Sequence, residues 1–167
     1  MINEKIEQSS YKIIKVCRIE KAPVQMNLVS KSLKLTMTSV ELQDNISGAL
    51  LRDLKTIVVN KFHPLVRRRF TAGHEIGHYI LHKNKRHIDD LFFRTNNVSE
   101  DEKRMESEAN QFAASLLMPR VFIDRELNGK KLTKNILQEI SSKFKVSDQA
   151  MVFRLMNLGY LSDNILD

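Results

Sequence analysis

The chain reads as α+β. A short sheet of about three strands should pack on a helix around His74-Glu75-Ile76-Gly77-His78 and on a second helix, with more helices at the C-terminal end. Two observations predict this. Short β-branched or apolar runs at residues 33–38, 48–51 and 56–60 all precede Pro64. Beyond it the apolar spacing turns helical, first through Leu65, Val66, Phe70, Ile76, Tyr79, Ile80 and Leu81, then through Met105, Ala109, Phe112, Ala113, Leu116 and Leu117.

In chain order, residues 1 to about 15 are expected to form a helix or an ordered lead-in. Pro23 and residues 27–32 read as irregular connections before the strands. Pro64 suits the first turn of a helix, where its missing N–H is not needed, and no proline follows before His82. Gly73 and Gly77 each weaken that helix by about 1 kcal/mol relative to alanine. Four residues apart, they form a smooth stripe that another backbone or a substrate can approach closely. A polar linker is expected from about His87 to Asp101, and the second helix then runs to Pro119. A short helix over 121–127 and a break at Gly129 follow. Thr133 caps a helix to about Lys143, and Ser147 caps a last one to about Asn157, ended by Gly159. By length, residues 1–167 make one domain, with about 1–30 as lead-in and about 131–160 as a helical pair packed on the core.

The histidine motif carries the chemistry. Residues i and i+4 of a helix share a face, so His74 and His78 can ligate one metal ion, with Glu75 about 100° round the helix as a nearby base. Two neutral nitrogen ligands and a base are what a zinc hydrolase needs. Catalytic zinc usually takes a third protein ligand. Glu106, at the edge of the second helix's apolar stripe, can supply it, with Asn110 one turn on as an outer hydrogen-bond partner. Glu108 faces another way and is the weaker candidate; the plain alternative is that all these acids are solvated surface. His82, eight residues after His74, either packs beside the site or hydrogen-bonds to a ligand. His63 and His87 sit at helix ends and read as solvent-exposed, and Cys17 as a small buried apolar residue.

Residues Phe70-Thr-Ala-Gly-His-Glu-Ile-Gly-His-Tyr-Ile-Leu-His82, together with Glu106-x-x-Ala109-Asn110-x-Phe112-Ala-Ala-x-Leu-Leu-Met-Pro119, resemble the ImmA/IrrE metallopeptidase family. The likeness extends through Ser47-Gly48 and Ile57-Val-Val-Asn60 upstream, and through Val146-Ser147 and Arg154-Leu-x-x-Leu-Gly-Tyr160 downstream, covering about residues 40–160. Gly73 departs from the alanine many relatives carry. The resemblance implies a small zincin-like domain holding one Zn2+ through His74, His78 and Glu106, with Glu75 as general base. It also implies a substrate: a repressor or antitoxin-like partner with a helix-turn-helix domain, cleaved to relieve repression. The alternative is a zinc-containing regulator that binds and sequesters such a partner. No separate sensor or DNA-binding domain is read in the chain, which suggests a stand-alone anti-repressor protease of a mobile element or stress operon, or a toxin-like partner of a helix-turn-helix protein.

An extended substrate would lie along an edge strand, with residues 56–60 or 48–51 as candidates. Residues 137–155 have the spacing of a helix-turn-helix. Their outer surface offers Asp148 and Gln149 with only one arginine, so the pair is read as capping the core, and direct nucleic-acid binding is not expected. The formal net charge is +7. Arg67-Arg68-Arg69 and Lys83-Asn-Lys-Arg86 flank the motif helix and read as solvated surface, with recruitment of an acidic protein partner or of DNA-associated cargo as the functional alternative. A lone cysteine, no apolar run of the ~18 residues a bilayer span needs and no secretory apolar region point to the cytoplasm.

Overall fold

The computed structural model describes residues 3–83 and 99–161. Three strands form the sheet: β1 (Thr36–Val40), β2 (Gly48–Leu51) and β3 (Thr56–Asn60). β3 is central, paired parallel with β1 and antiparallel with β2. Ile57 and Val59 of β3, with Ala49 and Leu50 of β2, enter the core. The β2 backbone crosses α3 (Leu65–Leu81) so closely that a Cβ on Gly48 would lie 2.4 Å from the Val58 carbonyl and 2.6 Å from a Thr71 methyl. Only glycine fits there. With β3 paired on both sides, it is not an edge strand, and of the two substrate-edge candidates β2 alone is left.

Five described helices pack around α3 and the sheet, besides a short one between α1 and β1. α1 (Glu4–Val16) buries Ile6, Ile13 and Ile14. α4 (Glu100–Leu117) buries Met105, Ala109, Phe112, Ala113, Leu116 and Leu117 and packs against both α1 and α3. α5 (Arg120–Leu127), α6 (Lys134–Phe144) and α7 (Asp148–Asn157) close the C-terminal side, with Thr133 and Ser147 accepting hydrogen bonds as N-caps.

Several expectations change. Residues 27–32 are not irregular: α2 (Met26–Ser32) is a seven-residue helix that buries Met26, Val29 and Ser30. It carries no side-chain cap and is too short for its period to show. Lys34 then reverses the chain at φ 56°, so pairing begins at Thr36 rather than Leu33. α4 starts at Glu100, inside the expected linker, because Ser99 and Glu102 form a capping box. Residues 84–98, with His87 and most of the second basic cluster, lie outside the described residues. The first basic cluster is not plain solvated surface. Arg67 and Arg68 donate to the hydroxyls of Ser47 and Ser39, and Arg69 donates to the carbonyls of Val24, Phe144 and Lys145, satisfying the open C-terminal end of α6. His63 is half-buried, its Nε2 on the Asp44 carbonyl.

The single arginine of α7 faces inward. Arg154 is 2 % exposed, donates Nε–H to the Met118 carbonyl, and grips both carboxylate oxygens of Glu7 at 2.6 and 2.8 Å. Ser115 donates its hydroxyl to the same carboxylate. A buried, spoken-for arginine gives α7 no cation for a phosphate backbone, which favours the capping role for the helical pair.

Burial pushes the Glu7 carboxyl up, but the hydrogen bonds from Arg154 and Ser115 and the Arg154 charge outweigh it and leave it below its ordinary value. Stabilisation from Glu7 is therefore complete above about pH 4.3, the free-glutamate value, and fades as pH falls through the lowered folded value. Glu7→Gln should lose roughly 3 kcal/mol in urea unfolding at neutral pH, because it strands a buried guanidinium, and its stability should fall less steeply with acid. Glu7→Leu with Arg154→Met should recover much of that loss. A single variant as stable as the parent would contradict the assignment.

Candidate metal centre

α3 and α4 run side by side with almost nothing between them. A Cβ on Gly77 would sit 3.1 Å from the Ala109 Cα and carbonyl oxygen, and one on Gly73 would sit 3.3 Å from Ala113. The pairing of 77 with 109 and 73 with 113 makes the helices antiparallel. Glycine on one helix and alanine on the other permit this approach, which brings the α4 side chains within reach of the α3 histidines.

Three donors meet there. His74 Nε2 and His78 Nε2 are 2.9 Å apart, and the Glu106 carboxylate oxygens lie 3.3 Å from the first and 3.1 Å from the second. Zinc bonds of about 2.0–2.1 Å in a tetrahedron place donor atoms about 3.3 Å apart. The observed spacing is slightly tighter than that, so the donor set fits one small dication. The His78 ring is 6 % exposed, that of His74 17 %, and the Glu106 side chain 51 %, so the centre is open on the Glu106 side.

Electrostatics follow from this crowding. His74 and His78 hydrogen-bond to Glu106 and hold its carboxyl far below the usual carboxylate range, against the effect of burial. Burial lowers His74, but Glu106, Glu75 and Asn110 together raise it above the ordinary histidine value. His78 is depressed, by burial first and by its two neighbouring histidines. Glu75 is 8 % exposed, on the same turn as His74.

Groups on α4 and at the end of α3 hold the two rings. Asn110 Oδ1 is 2.9 Å from His74 Nδ1 and accepts its proton, so the ring turns Nε2 toward the centre. His82, the C-cap of α3, is 7 % exposed and contacts His78 through the two Nδ1 atoms at 3.0 Å. Its other nitrogen reaches Glu108 Oε2, also at 3.0 Å. Glu108 is thus outside the three-donor cluster yet tied to it. Sequence reasoning missed that link, and missed Arg52, which donates to the His78 and Tyr79 carbonyls and fixes the β2–β3 turn to the end of α3. No spacing rule relates residue 52 or 108 to 78. A hollow of about 720 Å³, lined in part by Phe70, Asn110, Ala114, Ala150 and Phe153, lies beside the His74 side of the centre.

An H-E-x-x-H helix joined by a carboxylate from a second helix, beside a small sheet, is the arrangement of the zincin class of metallohydrolases. The chain belongs to the peptidase M78 family, described as the IrrE N-terminal-like domain, which it matches over residues 26–156. That segment begins earlier than the residue 40 at which the motifs suggested it, and it takes in α2. The chain is 32 % identical over 111 residues to the radiation response metalloprotease IrrE of Deinococcus radiodurans. The likeness covers 65 % of this chain but 33 % of that protein, so the chain spans about a third of the relative's length. In fold it is similar to a Mycobacterium tuberculosis transcriptional regulator, with a TM-score of 0.69 and 13 % identity over 92 % of this chain and 47 % of the other.

Gly77→Val should drive α3 and α4 apart. We expect a loss of about 2–3 kcal/mol in urea unfolding from overpacking, and weaker zinc binding in competition with a chelating dye. Parental values in both measurements would mean the seam is looser than 3.1 Å implies.

Proposed function

We propose that the chain is a zinc-dependent endopeptidase that cleaves a helix-turn-helix repressor or antitoxin-like partner and so relieves repression in the cytoplasm. The observation that carries the reading is the convergence of His74, His78 and Glu106 donor atoms at 2.9–3.3 Å, where α4 meets the turn of α3 that carries a buried Glu75. Membership of a metallopeptidase family supports the chemistry. The substrate class rests on the motif resemblance, and the likeness to a protein named a transcriptional regulator agrees with it.

In this reading His74, His78 and Glu106 hold one zinc ion. When bound, zinc would polarise the scissile carbonyl and acidify the attacking water. Asn110 keeps the His74 ring turned so that its Nε2 faces the centre. Glu75 takes a proton from the attacking water and hands it to the departing amine. Among the described residues β2 is paired on one side only, and its other edge can receive an extended substrate segment by backbone hydrogen bonds. Arg52 joins that strand's turn to the C-terminal end of α3 and so keeps the edge and the centre in register.

A regulator that merely sequesters its partner would leave Glu75 without a task. The test is to incubate the zinc-loaded chain with the product of the gene beside its own, with and without a chelator. Zinc-dependent fragments are expected. Glu75→Gln should retain its zinc and lose at least about 100-fold in cleavage rate. A partner bound but left whole by the parent chain would favour sequestration, and a fully active Glu75→Gln would remove Glu75 from the mechanism.

A further inference from the structure

We propose that the hollow beside the metal centre is a specificity pocket that receives a large apolar side chain of the substrate, next to the bond that is cut, and that Ala150 and Phe153 of α7 set its preference. The inference rests on the peptidase reading and deepens it by naming the side chain the site selects. The hollow, of about 720 Å³, falls within the ~300–1,000 Å³ range of ligand pockets.

Its position follows from helical spacing. Residues four apart share a face of a helix. On α3, Val66 and Phe70 lie eight and four residues before His74. On α4, Asn110 and Ala114 lie four and eight residues after Glu106. All four line the hollow. Because α3 and α4 are antiparallel, both rows run the same way from the donors. The hollow therefore continues the groove that holds the centre, and Phe70 is about 6 Å along α3 from His74. Asn110 belongs to both, since its Oδ1 also reaches the His74 ring. Arg67, also in the lining, donates to the hydroxyl of Ser47, the residue before β2, so the hollow adjoins the start of that strand.

Chemistry decides the occupant. Val66, Phe70, Ala114, Met118, Ala150 and Phe153 supply an apolar lining. Phe153 is 57 % exposed, a large ring that the fold leaves in water. A docking apolar side chain would cover it, and burial of such surface favours binding. Among the described residues no aspartate or glutamate lines the hollow, whereas two arginines do. Arg154 is neutralised by Glu7, and Arg67 is held by a hydroxyl rather than a carboxylate. A lysine or arginine side chain would find no counter-charge there, while leucine or phenylalanine suits the walls. The exposed amides of Gln149 and Asn157 offer uncharged hydrogen-bonding groups to the main chain of the same segment. α7 thus turns its arginine into the core and its neighbouring residues toward the site.

The experiment uses the full zinc-loaded chain and blocked dipeptide hydroxamic acids, whose zinc-seeking end fixes the register. One series carries the hydroxamate at the C-terminal end and another at the N-terminal end. The neighbouring side chain is methyl, isobutyl, benzyl or aminobutyl. Calorimetry reads binding, so no turnover is needed. In one of the two series isobutyl and benzyl should bind at least about 10-fold more tightly than methyl, and aminobutyl no more tightly than methyl. Phe153→Ala, at an exposed helix position, should reduce that preference several-fold, and Ala150→Trp should abolish it by filling the space. Zinc affinity should stay parental in both. Carbon-13 methyl signals of Ala114 and Ala150 should shift when the isobutyl compound binds, a measurement on the parent chain that stands even if Ala150→Trp fails to fold. Equal affinities across both series, a preference for aminobutyl, or a preference untouched in Phe153→Ala would each overturn the proposal and leave the metal centre in place. Failure of the parent chain to bind zinc would instead remove the reading beneath it, and the proposal with it.

Discussion

Everything at the centre depends on how closely α3 and α4 approach. Gly73 and Gly77 offer no side chain to the seam, and Ala113 and Ala109 offer only a methyl. Two helices lined with leucine would stand further apart, 8–10 Å between axes being the usual range. Glu106 would then fall short of the histidines. The two glycines weaken α3 as an isolated helix, and the fold recovers that loss by burying the pair against α4. Gly48 plays the same part on the sheet side, letting β2 touch Thr71. Three glycines on two elements thus set the separation on which the donor geometry rests.

Around that seam, α4 distributes its polar groups by function. Glu106 meets both imidazoles directly, Asn110 holds one of them, and Glu108 reaches the other only through His82. Packed this tightly, the three donors cannot all keep ordinary protonation: Glu106 is driven down, His74 up and His78 down. Such mutual perturbation within a small, partly open cluster is what a divalent cation relieves.

The sequence made some of this legible and hid the rest for identifiable reasons. α3, α4, α6 and α7 were readable because each runs ten residues or more with a clear apolar stripe, a proline start or a hydroxyl cap. The i, i+4 histidines were readable because a helix converts spacing directly into direction. α2 was not, since seven residues give under two turns of period. Strand order was not readable either. Nothing local in Thr56–Asn60 says that it takes partners on both sides, and its last residue is a buried asparagine whose amide donates to the carbonyls of Leu42, Gln43 and Ile46. Charges misled most. Arg69 and Arg154 look like surface in the sequence, but in the fold their guanidiniums serve carbonyls and a carboxylate brought from 36 to 147 residues away.

The Glu7–Arg154 clasp also bears on where this domain ends. The family match spans residues 26–156, which contains the guanidinium but not the carboxylate that answers it. α1 is therefore part of the folding unit although it lies outside the recognisable segment. A fragment trimmed to the matched boundaries would carry an unneutralised charge in its interior and an apolar flank of α4 stripped of Ile6, Ile13 and Ile14. In longer proteins that embed this segment, the element supplying the missing carboxylate has to be sought beyond the edge of sequence similarity. Boundaries drawn by likeness and boundaries drawn by burial need not coincide.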